Sequence, residues 1–145
     1  SGGQKRRVAI AGIIAMEPNV LVLDEPVAGL DPHGRDGILS MIENLHEKRP
    51  EMTIIFVSHS MEDVAKIAKH VIVMNHGRVA MTGSVAEIFS HGDELKTMGL
   101  SVPQITQITD KLRNLGFDLP KEIYTLKYGE AAIAALLGKG GVKNA

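Results

Sequence analysis

Val20-Leu21-Val22-Leu23-Asp24-Glu25-Pro26 is the stretch from which the fold is read. Four uniformly apolar residues ending in two acids suit a strand buried on both faces in a parallel sheet, and Pro26 cannot continue it. Downstream, Ile38, Leu39, Met41, Ile42 and Leu45 recur at helical spacing between His33 and Lys48, and Thr53-Ile54-Ile55-Phe56-Val57 is a second β-branched run. Strand, helix, strand in this order predicts a right-handed βαβ crossover. Upstream, Gly2 and Gly3 precede Gln4, Lys5, Arg6 and Arg7, then the nine-residue apolar run from Val8 to Met16. This predicts a helix with a polar first turn and a nearly all-round buried body, closed by Pro18. Basic residues in a first turn oppose the helix dipole unless an anion sits nearby. Because the chain opens on Ser1, directly inside a Gly-Gly step, it reads as a piece whose N-terminal part is missing.

Beyond the second strand, Ser60 or His59 opens a helix carrying Met61, Val64, Ala65, Ile67 and Ala68. Val71-Ile72-Val73-Met74 and Arg78-Val79-Ala80-Met81 flank Asn75-His76-Gly77 as a hairpin, and Ser84-x-x-Glu87 is a capping box for a short helix to about Phe89. A looser stretch follows His91-Gly92 as far as Pro103; Ile105, Ile108, Leu112 and Leu115 then lie on one face of a helix that Gly116 stops. Leu119-Pro120 forms a turn, and Thr125 can cap a last helix to about Leu137. The expected organisation is a domain over 1–92, a helical extension over 93–137 and a frayed tail over 138–145. Gly138-Lys139-Gly140-Gly141 matches a phosphate loop in composition only, lacking its spacing and the hydroxyl residue after Lys.

Composition narrows the function. The 145 residues, 44% apolar and 23% charged, are the size of one globular domain, able to bury roughly two-thirds of its unfolded surface. Without Cys, disulfide scaffolds, thiolate metal sites and Cys nucleophiles are excluded. The net charge is −1, with 9 basic against 10 acidic residues over 1–80 and 7 against 7 over 81–145, so no electrostatic footprint for nucleic acid is expected. The longest apolar run falls far short of the roughly 20 residues a spanning helix needs, and no charged-then-apolar leader precedes it; a membrane, if it matters, is reached through a partner. His33, His46, His70, His76 and His91 show no metal-ligand spacing and read as solvent-facing or capping residues, while the Met residues occupy core-like positions.

In open α/β sheets ligands bind beyond the carboxyl ends of the strands, where Asp24-Glu25 and Ser58-His59 both fall. Two acids and a histidine on one edge suit a metal-phosphate site. A hard cation such as Mg²⁺ takes carboxylate oxygen and water, a second carboxylate orients an attacking water, and an imidazole contacts a terminal phosphate. Each element also has a plainer reading: an acid pair as a turn or cap, Ser-His as a helix cap, Ser1-Gly2-Gly3 as a loop. Their joint occurrence in this order favours the functional reading, and the bare backbone at a helix start is a ready anion site.

These residues resemble the ABC ATPases. Ser1-Gly2-Gly3-Gln4 looks like their signature motif without its preceding residue, and Val20-Leu21-Val22-Leu23-Asp24 looks like Walker B, with Glu25 in the catalytic glutamate position. Ala28-Gly29-Leu30-Asp31 is similar to the D-loop, Gly29 departing from its usual Ala, and His59 matches the switch histidine. The resemblance implies the C-terminal part of a P-loop NTPase-like, mainly parallel α/β sheet with flanking helices, a β-hairpin and a small helical extension. It further implies ATP and Mg as cofactors: Asp24 holding Mg²⁺ through water, Glu25 polarising the hydrolytic water, His59 contacting the γ-phosphate. Ser1, Gly2, Gly3 and Gln4 would clamp the nucleotide of the opposite subunit, and Asp31 would communicate across the dimer. Cations at Lys5 to Arg7 are then tolerated because that helix start faces a triphosphate.

The chain contains no G-x-x-x-x-G-K-[ST] loop and no Q-loop, so by itself it is expected to be inactive, the resemblance describing a longer parent. Gly99-Leu100-Ser101-Val102-Pro103-Gln104-Ile105 through Leu112-Arg113, Gly116, Leu119-Pro120 and Thr125 is similar to the extension of energy-coupling-factor ATPases, the vitamin and cobalt or nickel uptake class of prokaryotes. In that class two ATPase subunits, paired as homo- or heterodimer, dock at the cytoplasmic membrane face on a transmembrane coupling protein that recruits a substrate-binding membrane protein. The helix from Ser101 to Leu115 suits a dimer or subdomain contact. Two rivals remain: a soluble ABC-type ATPase of translation or DNA maintenance, against which the balanced charge counts, and a non-catalytic dimerisation fragment. Exposed strand edges and apolar surface are also expected.

Overall fold

The computed structural model describes residues 2–140. Among these, the residues up to His59 and those from Ser60 onward form two compact units.

In the first unit, α1 (Gly2–Ile14), β1 (Val20–Asp24), α2 (Pro32–Lys48) and β2 (Thr53–Val57) follow in order. β1 and β2 pair in parallel with Val20 beside Thr53 and Asp24 beside Val57, so the sequence pattern of strand, helix and strand is realised. Pro32, pre-set for a first helical turn and needing no N–H partner there, opens α2 behind Asp31. Leu21 and Leu23 of β1 are buried with Ile10, Val27, Met52 and the α2 residues Ile38, Leu39 and Ile42, each fully buried aliphatic contributing about 2 kcal/mol.

Two burial expectations are corrected. β1 is covered on one face only: successive side chains of a strand point to opposite sides, and Val20 and Val22 remain 53% and 60% exposed. α1 is likewise not buried all round; Ile10 is its buried apolar residue, while Val8 and Ile13 are 72% and 39% exposed. Apolar patterning states what a surface could bury, whereas this chain's own elements pack against one side of each.

The second unit runs α3 (Met61–Ile67), β3 (His70–Asn75), β4 (Arg78–Ser84), α4 (Val85–Ser90), α5 (Gly92–Thr97), α6 (Gln104–Asn114) and α7 (Leu126–Gly140). The Ser60 hydroxyl caps α3 by accepting from the Asp63 N–H at 3.3 Å. β3 and β4 form an antiparallel hairpin whose two-residue turn places His76 at φ 47° and Gly77 at φ 74°, the left-handed pair that matches strand twist. Ser84 and Glu87 form the expected capping box on α4.

Residues beyond 92, read from sequence as an appended extension, share a core with this hairpin. Val64, Val73, Ile88, Phe89, Leu95 and Val102 pack in one cluster, and the Phe89 and Tyr124 rings lie 5.4 Å apart at 58°. α5, expected as loose chain, is helical; Asp93 and Glu94 in its first turn and Lys96 in its last complement the dipole, and six residues are too few for a periodic signal. The packed face of α6 also differs from the apolar stripe. Ile108 and Leu115 are 50% and 75% exposed, and Thr106 and Thr109 are buried instead. Those hydroxyls are satisfied, Thr106 donating to the Ile123 carbonyl at 2.6 Å and Thr109 to the Ile105 carbonyl at 3.0 Å, so burying them carries no unpaired polar group. Gly116, at φ 94°, ends the helix with its own N–H on Arg113 and the Phe117 N–H on Leu112, a Schellman closure. α7 continues to Gly140, so residues 138–140 are helical where a frayed tail was expected.

Candidate functional site

The in-register parallel pair determines the site. With Asp24 beside Val57, the next residue on each strand emerges at the same carboxyl edge, and the Glu25 N–H extends the ladder by donating to the Val57 carbonyl at 2.9 Å. Two residues further on, His59 meets the Glu25 side chain twice. Glu25 Oε1 accepts from the His59 main-chain N–H at 3.0 Å and lies 2.6 Å from His59 Nδ1. Because a carboxylate only accepts, Nδ1 carries the proton of that bond, which leaves Nε2 pointing its chemistry outward from a ring 81% exposed. Glu25 itself is one-third exposed.

Glu25 also adopts φ 44°, the left-handed region, which costs a non-glycine residue roughly 1–2 kcal/mol. Such conformations persist where surrounding structure over-determines them and cluster at working sites. Here the β-ladder bond on its N–H, the two donors on its carboxylate and Pro26 behind it supply that constraint.

Asp24 ends β1 with an exposed side chain beside this pair in sequence. Asp31 stands at the N-cap of α2 in extended backbone, its side chain making no capping bond; Gly34 leaves room for it, since a Cβ there would lie 2.8 Å from Asp31 Oδ1. Gly29, the departure from the D-loop pattern, takes φ 72°, a conformation glycine adopts without strain. Gly2 and Gly3 lie in the first turn of α1 with Gln4 exposed after them, and Ser1 lies outside the described residues. Among the described residues no three His, Asp or Glu side chains converge as a metal cage. Sequence reading missed the left-handed Glu25, which no residue type announces, and the bond from Arg6 Nη1 to the Ala28 carbonyl at 3.0 Å, which links residues 22 positions apart.

Residues 1–28 match the ABC transporter family model. The energy-coupling factor transporter ATP-binding protein EcfA2 of Clostridium perfringens is 57% identical over 94% of this chain and 48% of its own length. The protein of the same name from Clostridioides difficile is 55% identical over 97% of this chain and 49% of its own length. By sequence, the chain is similar to the C-terminal half of ABC transporter ATP-binding proteins of the energy-coupling factor class. It spans about half the length of the curated relatives it matches, their C-terminal half. Among solved structures, CbiO1 from Clostridium perfringens, part of the ABC transporter complex CbiONQ, superposes with a TM-score of 0.58 at 40% identity, over 76% of this chain and 43% of that one. The α/β architecture is thus that of ABC ATPases.

Proposed function

We propose that this chain carries the hydrolytic edge of an ATP-binding subunit that powers an energy-coupling factor importer for a vitamin or transition-metal ion. The observation that carries the reading is the Glu25–His59 pair, held at 2.6 Å where two parallel strands end, on a chain 57% identical to an EcfA2 protein.

The chemistry follows from the side chains. Glu25, fixed by the His59 N–H and by its own constrained backbone, is a carboxylate whose direction is set before substrate arrives, the condition for orienting an attacking water. His59 reaches the γ-phosphate through Nε2. With Nδ1 engaged by Glu25, Nε2 is the ring nitrogen left for that contact. Asp24, a single exposed carboxylate at the strand end, fits Mg²⁺, which keeps several waters and takes one or two protein carboxylates. When bound, the ion neutralises charge on the phosphates; Asp24 would hold it through water.

Gly2, Gly3 and Gln4, with Ser1 before them, offer backbone N–H groups at the start of α1 to the nucleotide of a second subunit, and Asp31 faces the same interface. The partners are that second ATP-binding subunit, a transmembrane coupling protein and a substrate-binding membrane protein. No helix among the described residues is long and apolar enough to cross a membrane, and attachment through those partners places the subunit peripherally on the cytoplasmic face. The chain alone lacks the Walker A loop and is inactive by itself. Steady-state MgATPase measurements test both parts: the full-length subunit turns over and loses it in Glu25→Gln, and this chain alone does not turn over. Turnover of the full-length protein that survives Glu25→Gln overturns the assignment; turnover by this chain that Glu25→Gln abolishes overturns the claim of inactivity.

A further inference from the structure

The first of two consecutive arginines of α1 reaches the segment that follows the acid pair. Arg6 Nη1 donates to the Ala28 carbonyl at 3.0 Å. Arg7 lies against α2, its Nη1 3.3 Å from where a side chain on Gly37 would begin. The loop between is made of successive turns: the Ala28 N–H returns to the Glu25 carbonyl at 3.2 Å and the Leu30 N–H to the Val27 carbonyl at 3.3 Å. Gly29, left-handed at φ 72°, immediately follows the carbonyl that Arg6 reaches. One residue past Leu30, Asp31 stands at the N-cap of α2.

A guanidinium on a carbonyl is a charge-assisted bond with a fixed donor fork, and it joins the first turns of α1 to a loop that has no regular ladder of its own. We infer that Arg6 is a positioning residue that ties the start of α1 to the loop carrying Asp31, so that Gly2-Gly3 and Asp31 are presented to a second subunit as one edge. The inference rests on the proposed function for what that edge meets; the tie itself does not.

The test uses the full-length ATP-binding subunit carrying this sequence. Arg6→Met keeps most of the stem and removes the donors, and Arg6→Lys retains one donor. Amide hydrogen exchange reads the tie without any turnover: the Ala28 and Leu30 amides exchange faster in Arg6→Met, with partial recovery in Arg6→Lys and α2 core amides unchanged. Exchange as slow as in the parent, or faster exchange spread evenly over the whole unit, overturns the positioning role. Turnover reads its consequence: Arg6→Met lowers kcat about fivefold, with KM for ATP little changed, and adds nothing further in an Asp31→Ala background. Fully additive losses overturn the route through Asp31. Glu25→Gln is the control in the same preparation. If turnover survives it, the proposed function fails, and the exchange result still decides whether Arg6 holds the loop.

Discussion

Gly129→Ala tests the packing of the second unit where α7 passes α6. An alanine Cβ at this buried position would lie 2.2 Å from Ile105 Cγ1, 2.5 Å from Ile105 Cδ1 and 3.3 Å from Ile123 Cγ2. Carbon pairs pack at about 3.5–4.0 Å, so the overlap with Ile105 exceeds what a small adjustment relieves. Ile105 is β-branched and 7% exposed, and Ile123 is fully buried, so both are stiff at χ1 and closely surrounded. Overpacking of this kind costs about 1–3 kcal/mol, and replacing a mid-helix glycine returns about 1 kcal/mol. With the overlap this large the cost falls at the upper end, leaving a net loss of about 1–2 kcal/mol. At about 4–8 °C per kcal/mol for a small domain, the midpoint falls by roughly 5–15 °C. Urea and thermal unfolding followed by circular dichroism measure it. Gly138→Ala is the control, since that glycine lies on the same helix with nothing within 4 Å; it should hold or raise stability. Ile105→Ala in the Gly129→Ala background should cost less than the two single changes together. Gly129→Ala as stable as the parent would refute the close approach.

Further tests bear on the loops and the site. His59→Ala in the full-length subunit should lower turnover on the order of 10²-fold while nucleotide binding is retained; parent-level turnover would remove the imidazole from the mechanism. Gly29→Ala, at φ 72° with no neighbour within 4 Å, carries only a backbone cost of about 1 kcal/mol, and an unchanged urea midpoint would show that the loop does not need the left-handed residue. The Ser84 backbone N–H, and next its hydroxyl, hold the Glu87 carboxyl below its ordinary value of 4.5. A folded-state value depressed in this way adds stability above the unfolded value, which is lost as pH falls through the folded one. Glu87→Gln should therefore flatten the acid limb of stability against pH below about 4.5; an identical acid limb in both proteins would exclude this contribution.

Local chemistry made much of this chain legible. The parallel strands, the α2 periodicity between His33 and Lys48, the His76-Gly77 turn, the Ser84–Glu87 box and the stop at Gly116 each rest on residue types whose preferences act within a few positions. The edge shared by Asp24, Glu25 and His59 was legible for a related reason: parallel strands of equal length deliver their carboxyl ends together. α5 was not legible, because six residues with one buried leucine carry too short a period, and the packed face of α6 was not, because Thr106 and Thr109 find acceptors that only the folded backbone supplies.

The sequence by itself therefore determined the order of all elements but α5 and the edge on which Asp24, Glu25 and His59 gather. Tertiary structure alone decided that Glu25 is left-handed and doubly bonded by His59, that Arg6 reaches Ala28, and which faces of β1, α1 and α6 are covered. The reason is range. Caps, turns and alternation are set by interactions between neighbours along the chain, whereas a carbonyl 22 positions away or a buried hydroxyl's acceptor exists only once distant segments have packed.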